Sequence, residues 1–239
     1  MIKEKVRIVS NNRLSDGVYE LVLEGASQVD CGQFIELTIP GFYLNRPFSV
    51  ADYENGKLTV LYKILGEGTL AMTALKEGTY LDMINGLGNG FLVDRAEKPL
   101  LVGGGIGIAP LYYLAKELVK RGKTPTIVLG YRTKNEVFYL KEFEKLGVTM
   151  VATDDGTLGL KGNVLTVIKA SEIDFDYYYA CGPMVMLNAL KEYSTKGEIS
   201  LEARMGCGFG ACMGCSIMTT SGTKRVCKEG PVFDAGEVI

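Results

Sequence analysis

Histidine is missing altogether from the 239 residues, and that one absence removes several chemistries. No histidine-based hydrolytic triad, Cys–His pair, His-containing zinc site or Rieske-type centre can be assembled. Whatever chemistry occurs is left to bound cofactors. Charge of one sign is also scarce. Twenty-six basic residues against 28 acidic ones give a net charge of −2, which offers no basis for a nucleic-acid or membrane-surface partner. Long apolar runs are lacking too. The longest uncharged stretch before the C-terminal segment, Pro99 to Ala115, is broken by Gly103, Gly104, Gly105, Gly107 and Pro110, so it reads as strand, turn and helix start, not as a membrane span. The opening MIKEKVRIVSNN mixes charges into a β-like pattern and has no apolar signal-peptide core. The expectation is a cytoplasmic protein, in a compartment where clustered thiols are more often metal ligands than disulfides. There is no internal repeat and no low-complexity linker.

What is present divides into three textures. Residues 1–95 carry short β-branched and apolar runs, such as VRIVSNNRLSDGVYELVLEG, GQFIELTIPG and GKLTVLYKILGEGT, separated by Gly, Asn, Asp and Pro. That spacing predicts a small antiparallel β-barrel, with GTLAMTALKEG as one or two helical turns. Residues 96–198 alternate strand and helix patterns. KPLLVGGGIGIAPLYYLAKELVKRG is a buried strand, a glycine turn and an amphipathic helix; TPTIVLGYR, VTMVATDDG and FDYYYACGP read as strands; EVFYLKEFEKLG, GNVLTVIKA and MVMLNALKEYSTKG read as helices. Such alternation implies a doubly wound parallel sheet. Residues 199–239 form a third, turn-rich segment.

That last segment holds four of the six cysteines: Cys207, Cys212 after four residues, Cys215 after two more, and Cys227 after eleven. The C-x4-C-x2-C…C order is the plant-type [2Fe–2S] arrangement, and the intervening Gly206, Gly208, Gly210, Ala211 and Gly214 suit a loop wrapped closely around inorganic sulfide. A zinc knuckle is the alternative, but it normally supplies two short pairs, not three ligands together and one apart. Cys31 reads as a small buried apolar residue.

Four further stretches suggest nucleotide chemistry, each with a plainer reading. In LNRPFSV, Arg46-Pro47-Phe48-Ser49 is either a strand end or an arginine fork for a pyrophosphate, with Ser49 at a flavin edge. In LYKILGEGT, Gly68 and Thr69 are either a plain helix cap or a second phosphate site. LLVGGGIGIAP, with Gly104, Gly105, Ile106 and Gly107, has the strand–turn–helix context of a dinucleotide fingerprint, but Pro110 replaces its last glycine. It lacks the Lys-Ser/Thr ending of a P-loop. YYYACGP places Cys181, Gly182 and Pro183 at a strand's C-terminal end, where open α/β sheets bind ligands. Cys181 has no histidine to activate it. Asp154 and Asp155 look paired but read as a loop at a strand end, and Arg132 and Lys134 follow the second strand, where a 2′-phosphate could sit.

The order RPFS, LYK…GT, GGGIGIAP, CGP resembles the ferredoxin–NADP reductase superfamily over roughly residues 1–195. The tail, with E-x-x-M-x-C-G-x-G-x-C-x-G-C followed by V-C-x-x-G-P-V-F, resembles the electron-transfer subunits of class 1B, NAD-dependent dihydroorotate dehydrogenases. This resemblance implies FAD on the barrel, at Arg46, Pro47, Phe48, Ser49, Leu61, Tyr62, Lys63, Gly68 and Thr69. It implies NAD on the α/β domain and a [2Fe–2S] cluster on Cys207, Cys212, Cys215 and Cys227. It also implies an FMN-containing catalytic partner in a two-plus-two heterotetramer, with electrons passing between that FMN and NAD. Lys63 departs from the family's frequent arginine, and a point charge cannot make the bidentate fork. Related flavin/iron–sulfur subunits, of sulfhydrogenases or of NADH-dependent ferredoxin–NADP oxidoreductases, share the same parts and stay open as the alternative.

Overall fold

The computed structural model describes residues 1–239. Six antiparallel strands, β1 (Ile2–Ser15), β2 (Val18–Glu24), β3 (Phe34–Leu37), β4 (Arg46–Glu54), β5 (Lys57–Lys63) and β6 (Tyr80–Leu87), close into a barrel in the order β1-β2-β5-β4-β3-β6. The period-2 patterning explains the closure. In β6, Leu81, Met83 and Leu87 point inward while Tyr80 and Asp82 face solvent. Helix α1 (Glu67–Met72) is the short helix expected after the LYK strand.

The second sheet runs β10-β9-β8-β7-β11-β12-β15, built from β7 (Pro99–Gly104), β8 (Thr126–Tyr131), β9 (Val148–Thr153), β10 (Leu160–Lys161), β11 (Tyr177–Cys181), β12 (Gly197–Ser200) and β15 (Val232–Asp234). All its pairings are parallel except β12–β15. Every residue of β7 is buried, as a central parallel strand covered on both faces requires. Its alternate side chains feed two cores. Leu101 joins Ile127, Leu129 and the apolar stripe Ile108, Leu111, Leu114 and Leu118 of α2 (Ile108–Lys120), a core continuous with the barrel interior. Leu100 and Val102 join Val164, Val167 and Ile168 of α4 (Val164–Ala170) and Leu187 and Leu190 of α5 (Met184–Tyr193). Barrel and sheet are also joined by polar bonds: Lys116 pairs with Asp52 at 2.7 Å, and the Tyr113 hydroxyl donates to Val29 O at 3.0 Å.

Two sequence expectations change. The stretch EVFYLKEFEKLG is not one helix: Tyr139 sits at φ 60°, and only α3 (Leu140–Glu144) follows it. Tertiary bonds override helix propensity here. Phe138 is buried with its carbonyl taken by the Tyr131 hydroxyl at 2.9 Å, and the Tyr139 hydroxyl donates to Glu20 on the barrel. The C-terminal segment is also more integrated than its turn-rich texture suggests. The division expected near residue 198 runs through β12, and β15 returns to that strand after a hairpin of β13 (Ser216–Thr219) and β14 (Gly222–Arg225).

Candidate cofactor clefts and cysteine loop

The strand order reverses between β7 and β11, so the carboxyl ends of these neighbours open a crevice. The cleft there, about 350 Å³, is lined by Gly104, Gly105, Ile106 and Gly107 from the first turn and Gly182 and Pro183 from the second. The two turns touch. A Cβ on Gly107 would stand 2.5 Å from Cys181 O and 2.7 Å from Gly182 Cα. Cys181 itself does not reach the cleft. Its thiol is buried and desolvation raises its pKa, so it is no nucleophile. Asp154 lines the cleft, whereas Asp155 turns away to accept from Thr157 N and Oγ1 at 3.0 and 2.6 Å.

A second cleft, about 220 Å³, lies between barrel and sheet, lined by Arg46, Pro47, Phe48, Ser49, Leu61, Tyr62, Lys63 and Thr69. Gly68 lies behind it: a Cβ there would meet Arg46 Nε at 2.6 Å, so its bare Cα makes room for the guanidinium. Arg46 stacks over Phe42 at 5.1 Å and has no carboxylate partner, leaving its charge to whatever occupies the cleft. The Thr69 hydroxyl is taken up locally, accepting from Leu65 N at 2.9 Å and Gly66 N at 3.2 Å. Lys63, Ile106 and Glu202 line both clefts, so these meet edge to edge. Glu202 keeps accessible surface in the opening yet is walled by protein, and that desolvation raises its carboxyl pKa.

The segment Leu201, Glu202, Ala203 and Met205 lines the second cleft and runs directly into Cys207. Cys215 and Cys227 are buried among Phe34, Val226 and Phe233, with sulfurs 3.1 Å apart, while Cys212 is exposed. Packing is therefore thin around only part of the set. Backbone N–H groups point at sulfur: Ala211 and Cys212 donate to Cys207 at 3.2 and 3.4 Å, Gly214 to Cys212 at 3.5 Å, and Cys227 to Cys215 at 3.4 Å. Burial would raise the Cys207 thiol, but donors from Cys212, Phe209 and Ala211 bring it down to about 6. Desolvation and the Cys215 sulfur push Cys227 up to about 12. No three of these groups converge on one point as a single-ion site needs; the buried sulfurs of Cys215 and Cys227 touch, while Cys207 takes the backbone N–H of Cys212.

Two residues that hold this loop carried no motif. Arg225 donates to Gly210 O at 2.6 Å and pairs with Glu229, whose carboxyl it holds at about 2. Glu36 on β3 is 2 % exposed, and a Cβ on Gly208 would lie 2.2 Å from its Oε1. Its one side-chain donor is Asn45, at 3.4 Å. Glu36 alternates with Ile35 and Leu37, which face the barrel core, so the sequence places it in the outward phase and carries no signal for its burial under the loop. Desolvation raises the Glu36 pKa, so the native state binds its proton more tightly than the unfolded chain does. Its stabilising contribution is full below the ordinary glutamate range and is lost as pH rises through the raised value. Glu36→Gln, neutral at every pH, is expected to raise Tm by roughly 2–4 °C at about pH 8 and by less at about pH 5. Melting curves at both pH values check this, and an unchanged gap would refute it.

Comparison with known proteins adds two family matches. Residues 101–192 match the oxidoreductase NAD-binding domain family, and residues 202–239 match the iron-sulfur cluster binding domain of dihydroorotate dehydrogenase B. The dihydroorotate dehydrogenase B (NAD(+)) electron transfer subunit of Caldanaerobacter subterraneus is 42% identical, covering 99% of this chain and 98% of that one. That of Bacillus mycoides is also 42% identical, over 100% and 99%. The chain belongs to this family of electron transfer subunits. Among solved structures, one of an NADH-dependent reduced ferredoxin-NADP oxidoreductase superposes with TM-score 0.90 at 30% identity, covering 98% of this chain and 89% of that one. The FAD/NAD-binding domain of a Vibrio cholerae nitric oxide dioxygenase, at TM-score 0.73 and 18% identity over 84% and 98%, shares the fold. Full-length identity favours the dihydroorotate dehydrogenase B electron transfer subunits over the ferredoxin-NADP alternative. No helix is long and apolar enough to cross a membrane.

Proposed function

We propose that this chain carries electrons between the FMN of a dihydroorotate dehydrogenase catalytic subunit and NAD, through a [2Fe–2S] centre and FAD, in cytoplasmic pyrimidine (UMP) biosynthesis. One observation carries the reading: the wall of the barrel-side cleft continues into the cysteine loop. Met205 and Cys207 are two residues apart, a span of at most about 7 Å.

The donors fit these groups. Four thiols in one loop region, with backbone N–H groups already turned toward Cys207, Cys212 and Cys215, match the four thiolates of a two-iron centre. Cys207, Cys212, Cys215 and Cys227 hold it, and loading the irons displaces protons, chiefly from the high-pKa Cys227. Arg46 neutralises the FAD pyrophosphate, Pro47, Phe48, Ser49, Leu61 and Tyr62 line the flavin, and Lys63 adds a point charge. The backbone of Gly104 to Gly107, at the head of α2, receives the NAD phosphates, with Gly182 and Pro183 opposite. When bound, FAD exchanges hydride with nicotinamide and single electrons with the iron centre. Lys63, Ile106 and Glu202 keep the two nucleotides in register, because each lines both clefts.

Phe209, Met213 and Met218, exposed by 42%, 52% and 62%, frame the cysteine loop with apolar surface. The FMN-containing subunit docks on this face, in a two-plus-two heterotetramer. The test is to purify the chain anaerobically with that partner and measure iron, acid-labile sulfide, FAD and FMN, then NADH formation from dihydroorotate. Zinc in place of iron, without flavin, sinks the reading.

A further inference from the structure

The nucleotide cleft carries a charge arrangement that the electron path does not use. Beyond the end of β8, Arg132 turns into the cleft, in the position of a doubly wound sheet that faces the adenosine ribose. An arginine here is the usual receptor for a 2′-phosphate. This one is occupied. Its Nε and Nη2 both donate to Oε1 of Glu136, the former at 2.9 Å, and the same oxygen lies 4.0 Å from Lys63 Nζ. The Glu136 side chain is only 20% exposed, so it is held in place, while the Arg132 side chain, at 70%, stays within reach of the cleft. The remaining charged groups in the lining are Asp154 and Glu202, so two cations face three carboxylates. A dianionic 2′-phosphate would enter a site whose positive charge is already spent.

Building on the proposed NAD site, we propose that Glu136 sets nucleotide specificity by holding Arg132 in an ion pair, which rejects 2′-phosphorylated dinucleotides. The device is built from an arginine that favours phosphate and a carboxylate that denies it, so removing the carboxylate converts the site. Specificity here comes from occupied charge, not from the shape of the pocket.

The test measures calorimetric binding of 5′-AMP and adenosine 2′,5′-bisphosphate to the full chain in its cofactor-loaded complex. Alongside it, kcat/KM is measured for NADH and NADPH. Glu136→Gln is expected to shift the bisphosphate-to-AMP affinity ratio about tenfold toward the bisphosphate, the worth of one freed charge-assisted bond, and to shift the NADPH-to-NADH ratio in the same direction. Adding Arg132→Ala to Glu136→Gln is expected to abolish the gain. A ratio that does not move in Glu136→Gln overturns the proposal while AMP binding leaves the NAD reading intact. A gain that survives Arg132→Ala also overturns it, and points to Lys63 or to bulk charge. If wild-type protein binds neither nucleotide, both the proposal and the NAD reading fall.

Discussion

Cys212→Ser is expected to remove the iron–sulfur signal while leaving fold and flavin in place, whereas Cys227→Ser should lower the stability of the fold as well. The difference follows from where the two thiols lie. Cys212 is exposed, and its Sγ accepts one long N–H bond, from Gly214. Replacing it changes the ligand set and little else. Cys227 is 2% exposed, follows Val226 in the core beneath the loop, and touches Cys215 at 3.1 Å. A serine there buries a hydroxyl where a polarizable sulfur stood, at about 1–3 kcal/mol if the new donor finds no acceptor. For a chain of this size that corresponds to roughly 2–4 °C of Tm per kcal/mol. Iron and sulfide content, the EPR signal after dithionite reduction, and melting temperature separate the cases. With Cys212→Ser, NADH should still reduce the bound FAD, while transfer to the catalytic subunit falls to background. A Cys212→Ser protein that keeps its full iron content and its EPR signal would remove Cys212 from the ligand set.

Much of this site was legible in the sequence because it rests on backbone. The glycine turn after β7, the CGP turn after β11 and the cysteine spacing are local patterns, and each falls where its pattern places it. What stayed hidden depends on side chains from distant segments. Glu36 meets Gly208 across 172 positions of sequence, and neither residue signals the other. The ion pair between Arg132 and Glu136 is short in sequence, but it joins the end of the strand TPTIVLGYR to the start of the expected helix EVFYLKEFEKLG, where the chain instead breaks at Tyr139. That break is dictated by the hydroxyl bond from Tyr139 to Glu20 on the barrel, a contact no window of local propensity contains. The joining of β15 to β12 was hidden for the same reason: a three-residue strand gives almost no periodic signal, and its partner lies beyond the cysteine loop.

Gly107→Ala is expected to cut NADH-dependent flavin reduction by about a hundredfold, the scale on which roughly 1 Å of misplacement acts, with FAD and iron content unchanged. The backbone angles at Gly107, φ −62° and ψ −7°, suit any residue, so the effect is steric. The added Cβ would stand 2.5 Å from Cys181 O, 2.6 Å from Cys181 C and 2.7 Å from Gly182 Cα. All three are main-chain atoms of the strand end opposite, and none can swing aside. At Gly104, by contrast, the nearest atoms of a new Cβ include the flexible Met186 side chain. Relief at Gly107 therefore requires the two turns to part, which moves the floor of the nicotinamide cleft and the head of α2 together. The overpacking should also cost about 1–3 kcal/mol of stability. Chemical reduction distinguishes the local effect from collapse: dithionite should reduce flavin and cluster in the variant as in wild type, while NADH should not. If NADH reduces the variant at the wild-type rate, the contact of the two turns is not the nicotinamide's seat, and hydride must reach the flavin from another side of Ile106.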